Sequence, residues 1–138
     1  MPIVDLPLDQ RNIIITRSKE GILDIKKIFT SKGANIYDFP AISVGDPDDL
    51  NPLDEALNQI NDFHWIIFSS SNGIKFVDKR LRYFNSSLKE YSKKTKIAVV
   101  GEKTSKTLDD FGIKADFIPP EFVAESLIDN FPVSGYGL

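Results

Sequence analysis

Apolar residues along this chain follow two rhythms. Short unbroken runs at 12–16, 35–39, 64–68, 96–100 and 115–118 have the length and composition of buried strands. Between the runs, apolar residues recur at helical spacing. Ile22, Ile25, Ile28 and Phe29 follow the first run, and Gly33 suits the left-handed residue that ends a helix. Asp54 to Ile60 reads as a helix after Pro52, a residue tolerated in a first turn. Ile74, Phe76, Val77, Leu81 and Phe84 form a helix after the third run. Leu88 to Tyr91 is a short surface helix inside the polar stretch 85–95. Thr104 to Phe111 is helical and stops at Gly112. Phe122 to Phe131 is a last helix, expected to bury Val123, Leu127 and Ile128. Strands alternating with helices predict an α/β fold, a parallel β-sheet flanked by helices.

Residues 40–51, Pro-Ala-Ile-Ser-Val-Gly-Asp-Pro-Asp-Asp-Leu-Asn, read as a linker. Prolines and aspartates disfavour regular structure at 46–52, while 41–44 can run as an extended edge. The expected organisation is an N-terminal extension at 1–11, a strand–helix–strand unit at 12–39, the linker at 40–51, an α/β domain at 52–131 and a loose tail at 132–138. Gly33-Ala34-Asn35-Ile36-Tyr37-Asp38-Phe39-Pro40 and Gly112-Ile113-Lys114-Ala115-Asp116-Phe117-Ile118-Pro119 share one cadence of helix stop, short strand and proline. Either an internal repeat or two ordinary helix-to-strand turns accounts for it.

Composition narrows the function. With 138 residues and 41% hydrophobic content, the chain can build a normal core. The net charge of -3 is spread along the sequence, without the clustered basic surface a nucleic acid requires. There is no cysteine and a single histidine, so thiolate sites are excluded and no paired metal-ligand spacing is present. No apolar run approaches the roughly 20 residues of a membrane span, and the N-terminus has no signal-peptide pattern. A soluble cytoplasmic protein is the expected default.

The candidate chemistry lies where strands hand over to helices. In Ile66-Ile67-Phe68-Ser69-Ser70-Ser71-Asn72-Gly73-Ile74 an apolar run stops at three hydroxyls, an amide and a glycine, and a helical pattern begins at once. The first amides of a helix lack intrahelical partners and the dipole adds positive charge there, so such a junction favours anions. Val99-Val100-Gly101-Glu102-Lys103-Thr104 repeats the design, and Ile15-Thr16-Arg17-Ser18 is a third instance. Ser69, Ser70, Ser71 and Asn72 either grip carboxylates or simply cap the helix. Thr104 likewise caps or binds, beside Lys103 and a Gly101 that lets a ligand approach the backbone. Arg17 either pairs with a carboxylate or is a solvated surface arginine. Lys26, Lys27, Lys79, Arg80 and Arg82 are expected to be solvated, His64 to lie on the surface at a strand start, and Phe122 to be a core or staple residue.

Several chemistries fail on spacing. There is no Gly-x-Ser-x-Gly elbow, and the lone His64 sits just upstream of the serines, so nucleophilic catalysis is disfavoured. Gly101-Glu102-Lys103-Thr104-Ser105 lacks the other glycines of a phosphate loop, and no Gly-x-Gly-x-x-Gly occurs. A phosphoacceptor receiver needs acidic residues where this chain has Thr16-Arg17 and Ser69-Ser70.

Four pieces in order resemble the N-terminal half of the uroporphyrinogen-III synthase family. They are the strand ending Ile15-Thr16-Arg17, the block Trp65-Ile66-Ile67-Phe68-Ser69-Ser70-Ser71-Asn72-Gly73, the block Ala98-Val99-Val100-Gly101-Glu102-Lys103-Thr104, and Pro119-Pro120-Glu121-Phe122-Val123-Ala124-Glu125-Ser126-Leu127. The resemblance spans about 12–131 and implies one flavodoxin-like or Rossmann-like half of a two-domain enzyme. That enzyme cyclises hydroxymethylbilane, a linear tetrapyrrole bearing eight carboxylates, with inversion of ring D. No cofactor is implied, and the matching threonine, here Thr104, lies in the family's cleft. The resemblance implies substrate binding by Thr16, Arg17, Ser69, Ser70, Ser71, Asn72, Gly101, Lys103 and Thr104. No catalytic residue can be named: the family's proposed acid, a tyrosine, has no counterpart, and Tyr136 does not match its motif. Family members continue past Leu138, and their opening unit packs with their C-terminal half. This chain alone is therefore expected to be nearly inactive, and residues 12–39 to dock on its remaining strands or on another copy. A non-catalytic flavodoxin-like binding or interaction domain is the alternative.

Overall fold

The computed structural model describes residues 5–132, so residues 133–138 of the expected tail, Tyr136 among them, lie outside it. The chain divides into two compact units, Met1–Pro47 and Asp48–Leu138.

In the first unit, β1 (Asn12–Ile15) leads through α1 (Lys19–Ser31) to β2 (Asn35–Asp38). The strands are parallel, with Ile14 opposite Tyr37 and Ile15 opposite Asp38. Alternation along β1 buries Ile15 but leaves Ile14 67% exposed, and its partner Tyr37 is 56% exposed. One face of this small parallel sheet is therefore bare, where parallel sheets are normally covered on both. The α1 helix ends as the glycine predicted. Gly33 has φ +93°, and a Cβ there would lie 3.0 Å from Asp9 Cα and Leu6 Cβ. The amides of Gly33 and Ala34 return to the carbonyls of Thr30 and Phe29, which satisfies the helix's last acceptors.

In the second unit the elements are α2 (Asn51–Asn58), a 3-10 turn (Ile60–Asp62), β3 (Trp65–Phe68), α3 (Ser71–Tyr83), α4 (Leu88–Tyr91), β4 (Lys96–Val99), α5 (Glu102–Asp110) and α6 (Ala124–Asn130). The strands β3 and β4 are parallel, Trp65 facing Lys96 and Phe68 facing Val99. Leu57, Ile60, Phe68, Ile74, Leu81, Leu88, Ile97, Val99, Leu108 and Ile113 form one core. Ile97, Ala98 and Val99 are all fully buried, as a central parallel strand requires.

Four expectations need correction. Residues 115–118 form no strand; Phe117 makes a single parallel bridge to Ala98. The Asp116 carboxylate accepts the Ile97 amide at 2.8 Å, taking a ladder position from the backbone, and Pro119 follows. The last helix starts at Ala124, which turns Ser126 inward and leaves Val123 45% and Ile128 75% exposed. Phe122, 55% exposed, is not a core residue. Three of the cations expected to be merely solvated are paired: Lys26 with Asp38 at 2.9 Å, Arg80 with Asp54 at 2.5 Å and Arg82 with Asp78 at 2.6 Å. Helical wheels show which face a cation occupies but not what stands opposite. Smaller shifts occur at α2, which begins before Pro52 because Asp49 Oδ1 accepts the Asn51 amide at 2.9 Å, and at the four strands, each one residue shorter than its apolar run.

Both nitrogens of the Arg80 fork engage Asp54, Nε at 2.6 Å and Nη2 at 2.5 Å. The contact ties α3 to α2. The hydrogen bond from Arg80 holds the Asp54 carboxyl below its ordinary value of 3.8, against the opposing effect of desolvation. A carboxylate depressed in the fold stabilises above its unfolded pKa and loses that contribution as pH falls through the lowered one. Urea midpoints of the wild type and Arg80→Met are therefore expected to differ at pH 7 and to converge below the ordinary carboxylate range. A gap that stays constant down to pH 2 would refute the assignment.

Candidate binding site at two helix N-termini

Phe68 and Val99 are register partners, so the segments leaving β3 and β4 emerge side by side at the C-terminal edge of the sheet. The Val100 amide donates to the Phe68 carbonyl at 2.9 Å, carrying the pairing one residue further. Here the two junctions diverge in chemistry.

At the start of α3, Ser70 is extended, with φ -150° and ψ 152°, and its Oγ accepts the Gly73 amide at 3.2 Å. This is a serine N-cap, which satisfies one of the orphan amides. Ser71 is buried, whereas Ser69, Ser70 and Asn72 are exposed. At the start of α5 the N-cap is Gly101, with φ +107° and ψ 142° and no side-chain cap. That conformation is open essentially to glycine alone. Thr104 is buried, 5% exposed, so it is not the cap that one reading of the sequence made it. Its Oγ1 lies 3.6 Å from where a Gly101 Cβ would stand. The first amides of α5 therefore meet no capping side chain, while Lys103 stands exposed on the same turn.

Ser71 Oγ lies 3.2 Å from the Lys103 carbonyl oxygen. Thr107 Oγ1 lies 2.9 Å from Ser71 Oγ and 3.0 Å from that same carbonyl. A chain of donors thus joins the first residue of α3 to the first turn of α5. Thr107 was missed in the sequence. The only signal is its helical spacing with Thr104 and Leu108, which places all three on the inward face.

The structure thus brings together Ser69, Ser70, Ser71 and Asn72 with Gly101, Lys103 and Thr104. Thr16 and Arg17 belong to the first unit, exposed at the end of β1. Arg17 lies against Gly21, where a Cβ would come within 2.8 Å of its Cδ. Among the described residues no three acidic or imidazole side chains converge as a metal site, and no helix is long and apolar enough to cross a membrane. A cavity of 220 Å³ lies elsewhere, lined by α2, Phe63, Val77 and the start of β3 at Trp65 and Ile66. It presents no polar chemistry, and the site residues follow the opposite end of that strand.

Two hydroxyl-bearing helix N-termini side by side can hold two anionic groups at a fixed separation. The chain is similar to known proteins. The family model for uroporphyrinogen-III synthase HemD matches residues 24–136. A uroporphyrinogen-III synthase of Synechococcus elongatus is 39% identical over 126 residues, covering 91% of this chain and 47% of that protein. A putative uroporphyrinogen-III synthase of Methanocaldococcus jannaschii is 32% identical, covering 84% of this chain and 45% of that protein. The chain thus spans about half the length of these two relatives. A porphyrin biosynthesis protein HemD of Ruminiclostridium josui is 33% identical, with 23% of that protein covered. The crystal structure of a mutant uroporphyrinogen III synthase from Thermus thermophilus superposes with a TM-score of 0.64 over 86% of this chain and 46% of that one. At 11% identity the superposition speaks for the α/β fold alone.

Proposed function

The chain belongs to the uroporphyrinogen-III synthase family, and on that premise we propose that it binds carboxylates of a linear tetrapyrrole at the α3 and α5 N-termini. This binding serves the family's reaction, the cyclisation of hydroxymethylbilane to uroporphyrinogen III with inversion of ring D, a step of tetrapyrrole biosynthesis. The observation that carries this reading is the uncapped N-terminus of α5 at Gly101 beside the serine-rich start of α3. Ser69, Ser70, Asn72 and Lys103 stand exposed there to meet substrate, and Thr16 and Arg17 are exposed candidate carboxylate contacts of the first unit by itself. Ser71, Gly101 and Thr104 shape the backbone behind them. Hydroxyls and amides hold a polycarboxylate without supplying a strong acid or base, so catalysis here is chiefly positioning. No cofactor enters the scheme, and the setting is cytoplasmic.

The bare face of the first unit around Ile14 and Tyr37 is covered by a second copy when nothing else is available to it. Sedimentation of the chain as a monomer at high concentration would rule that out. The functional test supplies fresh hydroxymethylbilane to this chain and to a longer chain of the length of the relatives. The type III to type I uroporphyrin ratio is expected to rise above the spontaneous value only with the longer chain. Type I alone from both would leave a non-catalytic binding domain as the account.

A further inference from the structure

Resting on the carboxylate-binding reading, we propose that Thr107 is a positioning residue that fixes the separation of the two helix N-termini. The hydroxyl of Thr107 is 8% exposed as a residue and cannot touch a substrate from beneath α5. It reaches Ser71 Oγ at 2.9 Å, and Ser71 Oγ reaches the Lys103 carbonyl at 3.2 Å. Two hydroxyl protons complete this chain: Thr107 donates to Ser71, and Ser71 donates to the carbonyl of Lys103. A buried network of this kind is strengthened by its low-dielectric surroundings, and the Thr107 proton has a second acceptor in the Lys103 carbonyl itself at 3.0 Å. The network ties Ser71, the first residue of α3, to two residues of α5, Lys103 and Thr107. Sheet pairing between β3 and β4 sets where the helices begin. The Thr107–Ser71–Lys103 chain sets how the helix starts are held against each other.

This separation matters only for a ligand that engages both termini. A second attachment adds affinity in proportion to how well the frame matches the ligand, and the gain vanishes when the geometry forbids simultaneous contact. A monocarboxylate needs one terminus and is indifferent to the spacing. A polycarboxylate is not.

The experiment titrates the chain with uroporphyrin, followed by porphyrin fluorescence, and with acetate, followed by the amide resonances of Lys103 and Thr104. It compares the wild type with Thr107→Val and Thr107→Ser. Thr107→Val keeps the shape and removes the donor. It is expected to weaken uroporphyrin binding about tenfold, the scale of one buried hydrogen bond, with the acetate midpoint unchanged within about twofold. Thr107→Ser is expected to restore uroporphyrin binding. If Thr107→Val does not fold, Thr107→Ala removes the same donor and carries the same expectation. Uroporphyrin binding as tight in Thr107→Val as in the wild type would overturn the positioning role, as would an equal loss for acetate. Absence of saturable uroporphyrin binding by the wild type would instead overturn the carboxylate-binding reading on which the proposal stands.

Discussion

Asp78→Ala is expected to destabilise the second unit by about 3 kcal/mol, near the upper end for a single substitution. Asp78 is 3% exposed, inside α3. One carboxylate oxygen accepts the Leu88 amide at 2.9 Å, and the other accepts Arg82 Nε at 2.6 Å. Leu88 is fully buried and opens α4, so truncation strands a buried amide and releases the packing of α4 on α3. An unsatisfied buried donor costs its full desolvation, about 1–3 kcal/mol, and hydrogen bonds to a charged group contribute a similar amount. Arg82 is 66% exposed and rehydrates freely, so the amide dominates the loss. Asp78→Asn keeps an acceptor for Leu88 and should recover at least half of the stability. Trp65 is the single tryptophan and lies in this unit, so its fluorescence in a urea titration reads the transition. A loss below about 0.5 kcal/mol for Asp78→Ala, the level of an ordinary surface change, would sink the account.

Gly101→Ala is expected to act on stability and ligand together. The residue holds φ +107° and ψ 142°, a region costing side-chain-bearing residues of order 1–3 kcal/mol. Space is not the obstacle, because the nearest atom to an added Cβ is Thr104 Oγ1 at 3.6 Å, an ordinary contact. The cost is conformational, and the backbone relieves it by rotating the start of α5. That rotation re-aims the uncapped amides at Glu102, Lys103 and Thr104, so uroporphyrin binding should fall more than tenfold while the chain stays folded. Gly45 is a suitable control: it is exposed, no atom lies within 4 Å of a Cβ placed there, and Gly45→Ala should change neither quantity. Uroporphyrin binding by Gly101→Ala within twofold of the wild type would show that the α5 terminus is not where the ligand sits.

The repeated cadence found in the sequence has a physical explanation. Gly33 and Gly112 both have positive φ, and in each case the next residue's amide bonds back across the helix end, Ala34 to Phe29 and Ile113 to Leu108. Asn85 performs the same stop after α3, with φ 59° and the Ser86 amide on the Leu81 carbonyl. The shared element is a helix terminator, and only the first copy leads into a strand.

What could be read from residues alone follows from local rules. Runs of Ile, Val and Phe marked four strands, helical spacing marked the helices, and Gly33 and Gly112 marked their ends, because each signal is contained within a few neighbouring residues. Hydroxyls and a glycine at the ends of β3 and β4 marked the candidate site in the same way, and the order of four such pieces marked the family. The tertiary structure decided what depends on partners distant in sequence. It gave Asp116 a ladder position and so removed the fifth strand, it turned Ser126 rather than Ile128 inward, and it set Asp54 opposite Arg80 across 26 residues. It also separated three hydroxyls that look equivalent in sequence: Ser70 caps α3, Ser71 is buried against α5, and Thr104 lies beneath Gly101. A hydroxyl can donate and accept in any direction, so its type announces polarity, and only the surrounding chain settles which partner it serves.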